Sequence, residues 1–253
     1  MRALLSKLGF GSAGAEAPET VQGESHELRG ADIAVSYFPS RAGGDFHDFR
    51  RVAPHRFLFG LLDVAGKRET SLEVLEAAKV CFRSSGEELL SATELNEPEA
   101  MIELSHRLNR EIIRAAGGVR SCPAFAGCYN EEVGTLCYVN AGHIPGLLHD
   151  HLSTVELPAT GLPLGLFPLA PTDARTVGLG PQASLAVVSR GVTEAESKHA
   201  EFGLDGVRSV MHAPPSPSSA KNLSERILQS VQGFAQLAPK HNDMTALTLT
   251  RRN

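Results

Sequence analysis

Apolar and polar positions begin to alternate at Ala31, where ADIAVSYF (31–38) predicts a strand that stops at Pro39 and Ser40. Residues 43–67, GGDFHDFRRVAPHRFLFGLLDVAGK, read as a strand, a short polar turn over 50–56 and a second, mostly apolar strand over 57–64. The period then lengthens. Leu72, Leu75, Ala78 and Phe82 fall on one stripe and predict a helix over about 71–82, with a weaker continuation through Ser84, Ser85 and Gly86 to Leu90. A second helix is clearer: Asn96 caps it, Pro98 sits near its first turn, Met101, Leu104, Leu108 and Ile112 recur at three and four, and Gly117 with Gly118 ends it.

Three strands follow in series, 124–129, 135–140 and 146–149, the first two joined by a turn at 131–134. Residues 157–180 are rich in Gly, Pro and Leu and predict a loop across the sheet with one short strand near Thr176 and Val177. SLAVVS (184–189) is apolar in its middle and reads as a strand buried on both faces. A Pro/Ser loop over 214–219 precedes a last helix from 222 to about 237, with Leu223, Ile227, Val231 and Phe234 on one face. The closing strand, 244–250, sets Leu247 and Leu249 on one side and Thr248 and Thr250 on the other. Strands come mostly as hairpins and helices come in groups. The pattern favours an α+β layered domain with antiparallel sheets over a doubly wound parallel fold.

Residues 1–28 break with that pattern. They are rich in Gly, Ala, Ser and Glu around one small apolar cluster, Leu4, Leu5, Leu8 and Phe10, and read as a flexible leader ahead of a single domain over 29–252. Composition narrows the function. Of 253 residues 42% are hydrophobic, enough for a sizeable core, and a net charge of −5 without like-charge blocks argues against nucleic acid or a membrane as partner. The four cysteines, Cys81, Cys122, Cys128 and Cys137, form no CxxC pair, so they read as reduced thiols of a cytoplasmic protein. No apolar run is long enough to cross a bilayer.

Candidate chemistry concentrates in the 43–67 hairpin. Its geometry brings Asp45, at the start of the first strand, close to Asp63, at the end of the second. Two carboxylates beside glycines suit a hard cation; they equally suit strand-end turn residues, and the hairpin alone leaves both readings open.

Further segments bear on that choice: GGDFHD (43–48), LLDVAGK (61–67), YVNAGHIPGLL (138–148), and SRGVTEA (189–195) followed by NDMTALTL (242–249). In order and spacing they resemble the PPM-type (protein phosphatase 2C-like) serine/threonine phosphatases, in the branch of the sporulation phosphatase SpoIIE and the RsbU stress-response phosphatases. The resemblance spans about 31–250 and implies a four-layer α/β/β/α sandwich with Mn²⁺ or Mg²⁺ at one edge. There two cations would lower the pKa of a bridging water that attacks a phosphomonoester.

It implies site residues one position at a time. Asp45 matches the first acidic ligand, Asp63 the aspartate bridging both metals, and the Val64 carbonyl the main-chain ligand after it. Asp48 fits the GGDFYD pattern as a substrate-side or water-holding residue, or else caps the turn. The next acidic ligand falls in T-D-G-V-T-E-A, where this chain has Arg190. The last is the first aspartate of D-D-I-T, which here is Asn242 followed by Asp243; the glycine after Gly66 and Lys67 is Arg68. Exchanging an anion for a cation about 5 Å from a divalent ion costs several kcal/mol even at an effective dielectric near 20. One ion rather than two is therefore expected.

Three outcomes are open: a one-ion phosphatase in which Arg190 grips phosphate, a pseudophosphatase that binds without hydrolysis, or an enzyme in which Asp243 or Glu194 moves inward. The implied role is a bacterial signalling phosphatase acting on a phosphorylated protein, typically a STAS-type anti-anti-sigma factor in partner switching, with control by a separate regulatory chain. His143 in NAGH reads as a structural hydrogen-bonding residue.

Overall fold

The computed structural model describes residues 21–39, 44–64, 68–150, 152–197, 200–214, 219–235 and 242–252. Its strands are β1 (Gln22–Leu28), β2 (Ala31–Phe38), β3 (Asp45–Ala53), β4 (Arg56–Asp63), β5 (Ala124–Asn130), β6 (Thr135–Ala141), β7 (Gly146–His149), β8 (Thr154–Leu157), β9 (Arg175–Gly178), β10 (Ser184–Val188), β11 (Glu196–Ser197), β12 (Ala200–Glu201) and β13 (Met244–Arg251). Its helices are α1 (Arg68–Leu90), α2 (Glu97–Ala116), the single turn α3 (Arg190–Thr193), α4 (Gly203–His212) and α5 (Ala220–Ala235).

Two antiparallel sheets stack face to face, one ordered β1-β2-β13-β10-β7-β8 and the other β3-β4-β5-β6-β9. The alternation along each strand decides the layers. In β4, Phe57, Phe59 and Leu61 join Ile33 and Val35 of β2 and Leu247 and Leu249 of β13 in a core between the sheets. Leu58 and Leu62, on the other face, pack with Val74, Ala78 and Phe82 of α1 and Met101, Leu104 and Leu108 of α2. On the far side, Ala186, Val188 and Ala246 pack beneath Val207 and Met211 of α4 and Leu223, Ile227 and Val231 of α5. The result is the four-layer α/β/β/α sandwich that the resemblance implied, built from the antiparallel sheets that the strand and helix pattern favoured.

The α2 expectation meets its cap: the Asn96 side chain accepts the Glu99 N–H at 3.4 Å. Several elements differ from expectation. Gln22–Leu28, counted in the leader, forms an edge strand paired along its length with β2, from Gln22↔Tyr37 to Leu28↔Ala31. Its side chains are polar on both faces, so backbone pairing rather than burial sustains it. The polar run 50–56 is not one turn: β3 continues to Ala53 with an irregularity between Arg51 and Ala53, and only Pro54 and His55 turn. Helix α1 begins three residues earlier than expected and takes up the weaker continuation to Leu90, with the Ser84 hydroxyl turned back onto the Val80 carbonyl at 2.9 Å. Strand β8 and helix α4 were not anticipated. The apolar cluster at 4–10, Gly43, residues 65–67 and most of the 214–219 loop lie outside the described residues, as does the end expected for α5.

All four cysteines are free and buried, and burial pushes each thiol up. Among the described residues no helix is long and apolar enough to cross a membrane.

Candidate active site

The hairpin register sets the problem this site has to solve. Asp45 and Asp63 are direct cross-strand partners, the first residue of β3 against the last of β4. Side chains so placed have Cβ atoms roughly 5 Å apart on one face, and like charges there repel. The chain is tight at this point: Val64 N donates to Gly44 O at 3.1 Å, and a Cβ on Gly44 would lie 2.6 Å from the Val64 carbonyl oxygen. Only glycine lets the two strands meet this closely.

The other sheet supplies the relief. Ser189 follows β10, and Arg190 opens α3. The Ser189 backbone donates to Thr245 O at 2.9 Å, its hydroxyl accepts the Thr245 N–H at 3.0 Å, and that hydroxyl donates to Asp243 O at 3.1 Å. A Cβ on Gly191 would stand 2.1 Å from Asp243 O, so glycine is required for α3 to lie against the 242–243 segment.

From this platform three ties cross to the carboxylates. Thr245 Oγ1 donates to Asp45 Oδ2 at 2.8 Å. Asp45 N donates to Asp243 Oδ2 at 3.3 Å. Arg190 grips Asp63 with both ends of its fork, Nε to Oδ2 and Nη2 to Oδ1, the second at 3.1 Å.

Each aspartate is thereby relieved differently. Asp63 has the guanidinium, whose own pKa rises chiefly through that hydrogen bond. Asp45 has a proton: burial first, then the Asp63 and Asp243 charges, push its carboxyl up to about 8, while the Thr245 and Ser189 hydroxyls pull the other way. The Asp45 carboxyl is held protonated at neutral pH by its burial first and by the neighbouring acids second.

The expected site residues divide accordingly. The fold brings Asp45, Asp63, Arg190 and Asp243 together, with the Val64 carbonyl beside Gly44. Asn242 is turned aside, its Nδ2 donating to Glu194 Oε2 at 3.3 Å. Asp48 is three residues from Asp45, an odd step that sends it to the opposite face of β3. There it accepts from Arg83 of α1, Nε at 2.6 Å and Nη2 at 3.1 Å, so its placement as a substrate-side residue is corrected to a helix–sheet ion pair.

Ser189 and Thr245 were not singled out. The β13 alternation held the signal, because extending the Leu247 and Leu249 face back by two puts Thr245 on the inner face at the Asp45 end.

His143 lies near this end, two strand steps from Asp63: Asp63 N donates to Pro123 O, and Ala124 bridges to Gly142. Its backbone N–H donates to Asn140 Oδ1 at 2.8 Å. Its Nδ1 carries the proton, since it sits 3.0 Å from the Ile144 carbonyl, which can only accept. Burial lowers its pKa, and its Nε2 is enclosed without a hydrogen-bond partner.

As a seat for two divalent ions the arrangement does not fit. Arg190 takes both oxygens of Asp63, Asn242 faces Glu194, and no three His, Cys, Asp or Glu side chains converge on a metal position among the described residues. The expected Mn²⁺ or Mg²⁺ ligand set of Asp45, Asp63, Val64, Asn242 and Asp243 is not assembled in this form.

Two stacked antiparallel sheets between helix pairs are the fold of solved PP2C-type domains, and the family match places the chain among the PPM-type phosphatases. Within that class the chain belongs to the SpoIIE family, whose description is Stage II sporulation protein E and whose model matches residues 53–252. Solved structures share the fold at low identity. The SiaA-PP2C domain of Pseudomonas aeruginosa superimposes with a TM-score of 0.72 at 17% identity, over 87% of this chain and 86% of that one. The RsbU and RsbW domains of Rv1364c from Mycobacterium tuberculosis give 0.67 at 22% identity over 89% of this chain, which spans 62% of theirs. RsbX, solved in complex with magnesium, gives 0.65 at 14% identity, over 92% of this chain and 100% of that one. No curated protein matches the sequence closely enough to count as a relative.

Proposed function

We propose that the protein is a bacterial phosphatase of phosphoserine or phosphothreonine in a partner-switching pathway, with a phosphorylated STAS-type anti-anti-sigma factor as its substrate. The observation that carries this reading is the gathering of Asp45, Asp63 and Asp243 from both sheets onto one edge of a SpoIIE-family domain. Asp45 stands opposite Asp63 and its backbone N–H donates to Asp243, so acids from both sheets share this edge. A phosphomonoester dianion approaching the same edge meets acids first, so productive recognition requires added positive charge.

A second reading, a catalytically impaired homologue that binds its phosphoprotein and regulates by binding, draws on the Arg190–Asp63 pair and on Asn242, which stand where the resemblance expects two metal-binding carboxylates and a free bridging one.

Release of phosphate from a phosphoserine peptide separates the two. The first reading expects Mn²⁺-stimulated release by the parent, abolished by Asp63→Asn. If the parent is silent and Arg190→Asp combined with Asn242→Asp gains activity by orders of magnitude, the phosphatase reading fails and the second stands.

A further inference from the structure

Between β8 and β9 the chain crosses the molecule over residues 158–174 without a helix or strand of its own. Connections of that length are uncommon in a compact domain unless they are put to use. From Pro158 to Thr172 the loop carries no charged residue, whereas the site near it is built from acids and one arginine.

Its backbone is fastened at several points. Cys122 N donates to Leu164 O at 2.8 Å and Leu164 N to Cys122 O at 3.1 Å, Arg120 N donates to Gly165 O at 3.1 Å, and Thr160 N donates to Asn140 O at 2.8 Å. A further tie comes from inside α2. Asn109, only 3% exposed, accepts the Gly165 N–H on Oδ1 at 2.8 Å and donates from Nδ2 to Phe167 O at 2.9 Å. A buried amide on a helix that otherwise packs Leu104, Leu108 and Ile112 inward is costly unless its hydrogen bonds are made. Here they go to the loop backbone.

The side chains on this fixed backbone face the other way. Leu164 is buried beneath the loop, but Phe167 is 51% exposed and Leu169 93%, and Leu162 and the adjoining Val119 are exposed as well. Each stands close in sequence to one of the fastening bonds, so its position is set before any partner arrives. Apolar side chains presented on a rigid support bind with little ordering cost. The patch is also continuous with the site. Asp63 N donates to Pro123 O, and Cys122, next in the chain, is the residue paired with Leu164. Four side chains expose a few hundred Å², short of the roughly 800 Å² per partner that a stable dimer buries and suited to a transient contact.

We propose that the 158–174 loop, with Val119, is the surface on which the phosphoprotein docks, and that it takes apolar, uncharged residues flanking the phosphorylated serine or threonine. A charged flank would lose water there and find no partner among Pro158 to Thr172. The selection is an apolar one, so salt leaves it unchanged. The inference rests on the phosphoprotein reading for its partner, but not on phosphate release.

Fluorescence anisotropy with short labelled phosphoserine peptides tests it, one peptide with Leu and Phe beside the phosphoserine and one with Lys and Glu. The parent should bind the apolar-flanked peptide about tenfold more tightly, at low and at raised salt, and Phe167→Ser combined with Leu169→Ser should remove that preference. Both side chains face solvent, so the double variant should melt with the parent; Leu169→Ser alone carries the test if the pair does not fold by circular dichroism. Equal binding of the two peptides by the parent, binding of neither, or an unchanged preference in the variant overturns the proposal. A parent that sediments as a dimer beside a variant that sediments as a monomer overturns it too, since the surface then belongs to a second copy. The serine forms of the same peptides keep the two readings apart. A flank preference without dependence on the phosphate supports the docking surface and counts against the phosphoprotein reading, whereas phosphate release without a flank preference does the reverse.

Discussion

Two arginine–carboxylate pairs sit at opposite ends of the β3–β4 hairpin, and they are alike in geometry and unlike in setting. Near the turn, Arg51 Nη1 and Nη2 donate to Glu131 Oε2 and Oε1, both at 2.8 Å. Glu131 also accepts the Arg29 backbone N–H at 3.0 Å and its own N–H reaches the His55 carbonyl, while Arg51 donates to Pro54 O and lies over the Phe57 ring. Every partner there is a group the fold needs in that position, and Glu131, held below the usual carboxylate range by Arg51, is satisfied. At the open end Arg190 makes the same bidentate contact with Asp63, with an arginine about as exposed as Arg51 (44% against 38%), but beside Asp45 and Asp243 rather than among backbone partners. The same bond therefore fastens one end and only occupies the other. Surroundings, not the contact, decide which arginine is structural.

The largest expected effect is at the fastened end. Glu131→Ala removes a fully enclosed carboxylate, strands the Arg29 N–H and leaves Arg51 without its partner. It should lower stability by about 3 kcal/mol in urea unfolding, and divalent ions should not restore it. A loss under about 1 kcal/mol would mean that the two pairs do not differ as described.

A smaller effect separates the ends by pH. The Asp45 carboxyl is raised from 3.8 to about 8 in the folded state, so between those values the folded form keeps a proton that the unfolded chain releases. Stability should fall as pH rises across that window and level off above it. In Asp45→Asn the fall between pH 5 and 8 should flatten, read from the urea midpoint at each pH. An unchanged slope would place the proton elsewhere.

Much of the fold could be read because the chain repeats its period cleanly. Leu247 and Leu249 against Thr248 and Thr250, and Met101 to Ile112 at three and four, each put a face where the sheets and helices have one. Gln22–Leu28 was missed for the converse reason: an edge strand that is polar on both sides has no apolar face to show, and its pairing with β2 is a backbone matter. The site was readable as a list of positions. Asp45 opposite Asp63 follows from hairpin register, but the grip of Arg190 on Asp63 joins residues 127 apart in sequence and depends on how the two sheets are stacked. Asp48 shows the limit of matching a short motif, since its proximity to Asp45 in sequence hid that an odd step along a strand reverses the face. Thr245 could have been placed by the same parity.

The claim that joins these observations is that Arg190 holds Asp63 by both oxygens at the open end of the hairpin. The most direct measurement is the arginine side-chain Nε–H resonance of Arg190, assigned by its loss in Arg190→Lys and compared between the parent and Asp63→Asn. The account predicts a shifted, exchange-protected signal in the parent that moves to the position of a solvent-exposed arginine in Asp63→Asn. A signal already at the solvent-exposed position in the parent would contradict it.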